Sequence, residues 1–322
     1  MTPKKKQSSQ AVSKHKRSQS QYDSAWKDVI EELLEPFLQF FFPVVHGDID
    51  FSKGFEFLGK ELRKIAPDGT VGQRYADELI KVYLKDGSTK YLRIFIHLEI
   101  QGKQEANLEE RIFIYFYRIF DRHREEGTEV VSLVVLTDEN KSYRPNEYRI
   151  SRWGFDLRMK FPLVKIIDYK DKKELREKLE ESGNPMAMVV KAQLKSYELK
   201  KADNNKKSSV KWELIRECYN KGYSKKAIET LFKFFDWIIR LPDDLENQLT
   251  ERIIKFEEEN KMPYVTSWER IGERIGEKKG EKKGVKKEKF ETARRMLNED
   301  FPIETIIKCT ELTEEEIKSL MN

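Results

Sequence analysis

Apolar positions fall into helical and strand-like periods that alternate through the first two hundred residues. From Trp26 to Phe41, the residues Trp26, Val29, Ile30, Leu33, Leu34, Phe37, Leu38 and Phe41 recur close to helical spacing. They predict a helix, with Asp23 or Ser24 as its cap. A second helix is predicted from Phe55 to Ile65, stopping before Pro67-Asp68-Gly69. The period then drops to two over Tyr75–Leu84 and Tyr91–Gln101. Ile80, Val82 and Leu84 share one face of the first strand, and Leu92, Ile94, Ile96, Leu98 and Ile100 share one face of the second. Asp86-Gly87 between them has tight-hairpin chemistry. Asn107–His123 is predicted helical, with a core stripe of Leu108, Ile112, Phe116, Ile119 and Phe120. A neighbouring stripe holds Arg111, Tyr115, Arg118 and Arg122. The β-branched run Val130–Leu136 predicts a strand buried on both faces. Phe155–Phe161 and Leu163–Tyr169 predict two further strands, and Asn184-Pro185 opens a helix to about Leu194. Helix, hairpin, helix and buried strand in this order make an α/β core.

A polar stretch, Lys200–Ser209, separates this core from three predicted helices at Trp212–Lys221, Lys225–Ile239 and Leu245–Glu259. Trp212, Phe232, Phe235 and Trp237 are the expected aromatic core of that helical region. Glycines then recur every four residues at Gly272, Gly276, Gly280 and Gly284 among lysines and glutamates. Glycine weakens a helix by about 1 kcal/mol per position, so this stretch reads as a charged linker or frayed helix, or as a helix that pairs with its own copy or lies along phosphates. The last segment predicts helices at Phe290–Leu297, after Pro302, and from Thr313 to Leu320, where Thr313–Glu316 has capping-box form. The expected organisation is a basic tail (1–21), an α/β domain (22–200), a helical region (205–262), the glycine-repeat segment (263–289) and a small helical tail resembling a helix-turn-helix (290–322).

Composition narrows the function classes. The 322 residues carry 62 Lys and Arg against 57 Asp and Glu, a net charge of +5. With a pI of about 8.8, the balance permits nucleic-acid binding without demanding it. Cys218 and Cys309 are the only cysteines, and neither has a neighbour at zinc-ligand spacing. That usage fits a reducing, cytoplasmic setting. The first twenty residues are basic, free of acids and without an apolar segment, so they are not a secretory signal. Leu34–Val45 is apolar but too short to span a bilayer, and no membrane partner is expected.

The hairpin carries the candidate chemistry. Any register that brings the two apolar rows onto one face also brings Asp77 and Glu99 onto one face. The simplest register sets Ile80 opposite Ile96, Val82 opposite Ile94 and Leu84 opposite Leu92, with Asp77 directly opposite Glu99. Two facing carboxylates repel unless a cation or a shared proton joins them. Their oxygens suit Mg²⁺ or Mn²⁺. A solvated outer face on an ordinary hairpin fits the same pattern.

The run FLGKELRKIAPDGTVGQRYADELIKVYLKDG, then RIFIHLEIQG, ERIFIYFYRIFDRH and VVSLVVLTDE, resembles the recombination-promoting nuclease and putative transposase family, including the YhgA-like proteins. NPMAMVVKAQL and ARRMLNEDFPIETIIKCTELTEEEI resemble later parts of the same family. The resemblance covers roughly residues 22 to 200 and the tail. It implies the PD-(D/E)XK superfamily: a restriction-endonuclease-like αβββαβ core, here with a C-terminal all-helical extension, and divalent-metal hydrolysis of DNA phosphodiesters.

By position in that pattern, Asp77 and Glu99 are the metal carboxylates and Gln101 stands where the superfamily has a lysine. Glu61 matches a helix glutamate of some members. Gln101 cannot act as a base and orients a water or a phosphate instead. Arg111, Tyr115 and Arg118 are candidates for contacts to the DNA backbone. The expected activity is that of a Mg²⁺-dependent deoxyribonuclease using one or two ions. Two alternatives remain: a DNA-binding protein without catalysis, and a self-assembling protein whose glycine repeat and tail make a homo-oligomer.

Overall fold

The computed structural model describes residues 25–59, 77–86, 91–99, 107–124, 129–260, 289–297, 299, 301–310, 312 and 317; for 91, 93, 95–99 and 308 it describes the backbone alone. The chain forms two compact units, residues 1–249 and 250–322. In the first, described helices are α1 (25–32), α2 (Leu34–Phe41), α3 (Pro43–Asp48), α4 (Leu108–His123), α5 (Asp168–Asp171), α6 (Lys173–Glu181), α7 (Met186–Glu198), α8 (Asn204–Asn220) and α9 (Lys225–Ile238). Helix α10 (Asp243–Glu259) begins in the first unit and continues into the second. Described strands are β1 (Phe55–Phe57), β2 (Glu78–Tyr83), β3 (Tyr91–Glu99), β4 (Glu129–Leu136), β5 (Glu147–Arg152), β6 (Phe155–Lys160) and β7 (Leu163–Lys165).

Five strands form one sheet in the order β1-β2-β3-β4-β7, while β5 and β6 form a separate ribbon. Strands β1, β2 and β3 are antiparallel neighbours, and β3, β4 and β7 run parallel. Successive strand residues face opposite ways, and helices cover both sides. On one side α4 packs down, burying Tyr115 and Ile119 with Leu79 and Leu58, and Leu108 and Ile112 with Val134 and Leu136. On the other side Lys27 of α1 reaches Glu78, and Tyr197 of α7 donates to the Thr137 carbonyl just past β4. The core is therefore α/β, as the alternation of periods requires.

Several elements differ from the expectation, each for a local reason. The helix expected over Trp26–Phe41 breaks at Leu33. Pro36 has no N–H to donate and its ring would meet the Glu32 carbonyl, so a continuous helix is disfavoured there. Phe55–Phe57 is a strand rather than the start of a helix. Gly54 turns the backbone at φ 75°, and Phe55 and Phe57 pair with Val82 and Ile80. Strand β1 precedes the segment containing Glu61 in the chain. Phe155–Lys160 pairs with β5 outside the main sheet. Val44, inside the apolar run Leu34–Val45, is exposed.

The helical region is not separate from the α/β part. Trp26 donates to Gln193 at 3.1 Å and meets Phe234 edge-to-face with centroids 5.2 Å apart. Phe234 takes the core place expected for Trp237, beside Phe232, Phe235 and Trp212. The polar stretch at 200–209 contains a helix start, because the Asp203 side chain accepts from Lys206 N at 2.7 Å and caps α8. Ser224 caps α9 in the same way, accepting from Ala227 N. Lys211 on α8 is fully buried, 2.8 Å from Asp236 and 2.5 Å from Glu246, so one cation joins three helices.

In the second unit, residues 289–297 and Ile303–Thr310 are helical, and Ala293, Ile306, Leu312 and Ile317 make a small core. The glycine repeat and the segment around Glu314 lie outside the described residues. Among the described residues no helix is long and apolar enough to cross a membrane.

Candidate metal and DNA site at the sheet edge

Because β2 runs against β3 while β4 and β7 run with it, the start of β2 and the ends of β3, β4 and β7 line one edge of the sheet. Open α/β sheets bind ligands at the carboxyl ends of their parallel strands. This edge gathers Asp77 just before β2, Glu78 at its start, Glu99 at the end of β3, Asp138 after β4 and Lys165 of β7.

The hairpin register differs from the simplest one by two residues. Glu78 pairs with Ile96, Ile80 with Ile94 and Val82 with Leu92. On its other edge β2 continues past β1, where Ile49 forms a bridge with Leu84 and Asp50 N donates to Tyr83 O. A shift of two keeps every residue on its face. Continued by one residue, the ladder sets Asp77 level with His97, and Glu99 becomes its diagonal neighbour. Diagonal positions have β-carbons about 7 Å apart, against about 5 Å for direct partners. That spacing leaves more room for an ion between two carboxylates than direct opposition does.

Asp77 is 5% exposed, and its neighbour Glu78 is 1% exposed. The alternation of the strand sends them to different layers. Glu78 lies under α1 and accepts from Lys27, which is 3.6 Å from Glu31. Burial holds the Glu78 carboxyl above its usual 4.5, against the pull of Lys27 and with help from Glu31 and Asp77. Burial lowers Lys27, but the bond and charge of Glu78, then Glu31, outweigh it and hold the ammonium above 10.5. Leu79 turns to the α4 side, so the face it shares with Asp77 is the one α4 covers.

The Glu99 backbone is level with Leu136, and Leu136 packs against Leu108 in the first turn of α4. Glu61 and Gln101 lie outside the described residues. No group of three or more His, Cys, Asp or Glu side chains placed to hold a metal occurs among the described residues. The donor pair is all-oxygen, which fits Mg²⁺ or Mn²⁺ rather than zinc.

Helix α4 is rotated relative to its expected stripe. Tyr115 is 4% exposed and belongs to the core with Leu58, Leu79 and Ile119. A DNA contact by this ring is therefore corrected to a packing role. Arg111 and Arg118 are half-buried and Arg122 is exposed. Phe120, expected inside, is exposed.

The edge also holds charged groups that periodicity did not single out. Lys165 is buried, donating to Asp138 at 2.7 Å and to the Tyr143 carbonyl at 2.9 Å. Arg144 makes a two-pronged contact with Asp168, which also accepts from Lys172 at 2.7 Å. Burial would raise the Asp168 carboxyl, but these two cations outweigh it and hold it below 3.8. The available signal was a lysine inside the apolar run Leu163-Val164-Lys165-Ile166. For Glu78 it was an acid on the apolar row of its strand.

Comparisons with family models, with curated proteins and with solved structures find no match to this chain.

Proposed function

We propose that the chain is a divalent-metal-dependent DNA endonuclease of the recombination-promoting nuclease type. The supporting observation is the buried Asp77 carboxylate at the start of β2, on the sheet edge where the antiparallel neighbour β3 ends in Glu99. Asp77 and Glu99 would hold a Mg²⁺ or Mn²⁺. When bound, the ion would neutralise charge on the phosphorus under attack and lower the pKa of a bound water. Gln101 would orient that water, as its amide can both donate and accept. Arg111 and Arg118 would meet the DNA backbone, while Tyr115 holds α4 to the sheet beneath them.

The test is cleavage of supercoiled and single-stranded DNA with Mg²⁺ or Mn²⁺, alongside calorimetric titration of the metal alone. Wild type should cut and bind metal. Asp77→Asn and Glu99→Gln should each lose cleavage and weaken metal binding. Full activity in both variants would overturn the site.

A further inference from the structure

We propose that the tip of the β5–β6 ribbon holds unpaired bases of single-stranded DNA and so selects the strand offered to the nuclease site. The choice of DNA rests on the nuclease reading above. The ribbon pairs Glu147–Arg152 with Phe155–Lys160, and strand alternation gives it two faces. Tyr148, Ile150 and Arg152 share one face with Phe155, Leu157 and Met159, while the remaining ribbon positions, charged apart from Ser151, share the other. At its root the first face is covered. Tyr148 stacks on Phe113 with centroids 4.6 Å apart, and Met159 packs on the cluster of Leu108, Ile112 and Val134. Towards the turn the cover ends: Ile150 is 42% exposed, Phe155 59% and Trp153, in the turn itself, 95%.

Trp153 and Gly154 form the two-residue turn, with φ of 53° and 86°. Asparagine or glycine ordinarily fills such a position, and a bulky ring there is an outlier. Burial does not offset the strain, because the ring is almost fully wet. It lies under the Arg152 guanidinium, 5.4 Å from the ring centroid.

The charges select the occupant. The ribbon carries Arg149, Arg152, Arg158 and Lys160 against Glu147 and Asp156, so it is net positive. Both acids are neutralised in place: Asp156 is 3.1 Å from Arg149, and Glu147 is 2.8 Å from Arg158 and 3.7 Å from Lys160. Arg152 pairs with no carboxylate among the described residues. The uncovered end therefore sets a cation against two aromatic residues, Trp153 next to it in the chain and Phe155 directly across the ladder. An apolar protein surface closing over Arg152 would leave its charge buried and unpaired. A nucleotide strand instead brings a ring face for each aromatic side chain and a phosphate for the guanidinium. A closed duplex keeps those ring faces inside its stack, so the match is to a single strand. The ribbon also starts from the right place. It joins β4 to β7 at the sheet edge described above, where Phe161 N donates to Asn146 O at 3.1 Å and Lys165 donates to the Tyr143 carbonyl at 2.9 Å to fix its root.

The experiment is fluorescence anisotropy of the full chain with a labelled thymidine oligonucleotide and with a duplex of the same length, in EDTA so that binding is read without cleavage. The variants are the pair Trp153→Asn, Phe155→Thr and, separately, Arg152→Gln. Asparagine keeps the turn and threonine keeps the strand, and circular dichroism checks every variant. Wild type should bind the single strand more tightly than the duplex. The aromatic pair should weaken single-strand binding by about 5–150-fold and leave duplex binding nearly unchanged. Arg152→Gln should lower the slope of log affinity against log salt by about 0.7. Unchanged single-strand binding in the aromatic pair, or an equal loss with the duplex, would overturn the proposal. So would variants that keep single-strand binding but lose binding to phosphatidylserine vesicles, or lose self-association in sedimentation, which would assign the tip to lipid or to a second copy. Cleavage with Mg²⁺ is measured separately: a wild type that prefers single strands through this tip but does not cut would overturn the nuclease site and support the ribbon's role.

Discussion

Replacing Tyr115 with alanine separates two roles for one side chain. As a member of the arginine stripe, it would contribute to DNA affinity and little to stability. In the structure its ring is enclosed by Leu58, Leu79 and Ile119, with Val130 packed alongside. Removing a buried aromatic ring costs about 3–5 kcal/mol, from lost transfer energy and the cavity left behind. In a unit of this size each kcal/mol lowers the melting temperature by about 2–4 °C, so the variant should melt roughly 6–20 °C below wild type. Tyr115→Phe keeps the packing and should cost no more than about 1.5 kcal/mol. Arg122→Ala, exposed on the same helix, should stay within about 0.5 kcal/mol of wild type. Urea unfolding followed by tryptophan fluorescence measures all three, and DNA binding below the melting temperature completes the comparison. The packing account is refuted if Tyr115→Ala unfolds like Arg122→Ala while its DNA affinity drops.

Adjacent carboxylates on β2 should behave differently: Asp77→Asn should remove cleavage with little change in unfolding, whereas Glu78→Gln should leave cleavage and change the pH dependence of stability. Burial raises the Glu78 pKa above 4.5, so the folded state holds its proton longer and wild-type stability falls as pH rises through that window. Glu78→Gln should therefore gain stability relative to wild type at pH 7.5 compared with pH 4, and a relative loss would show the Lys27 pair to be net favourable. Asp168 has the opposite sign: its folded pKa is below 3.8, so its contribution is present above that value and lost as pH falls through the folded one. Arg144→Leu should flatten that acid limb in a series of melting curves. Lys211→Met should cost about 3–5 kcal/mol by leaving Asp236 and Glu246 facing each other without their cation, and the triple change with Asp236→Asn and Glu246→Gln should recover most of it in urea unfolding.

Where packing demands one residue type continuously, the sequence is easy to read. Val130–Leu136 could hardly be anything but an interior strand. Helix α4 was equally visible, but its rotation was not. Phe113, Phe116 and Phe120 are as apolar as Tyr115, and Leu58 and Leu79, which decide which ring is enclosed, are distant in sequence. The parity of Asp77 and Glu99 is legible because a strand has a period of two. Their separation is not, since a shift of two leaves the pattern of apolar and polar faces unchanged. Phe55 and Leu58 fit either period, so β1 was hidden. The ribbon turn was hidden because tryptophan is not a turn residue, and that mismatch is itself the informative feature.

Trp26 also bears on how the chain is made. Its hydrogen-bond partner Gln193 is 167 residues downstream, and its ring partner Phe234 comes later still. Synthesis at about 5–20 residues per second delivers Phe234 roughly 10–40 s after Trp26. Throughout that interval Trp26 must wait for both partners, along with the helix that carries it. Until then the apolar face of that helix is the kind of exposed segment that chaperones shield. A ribosome stalled before α9 would release a product whose first helix lacks its cover.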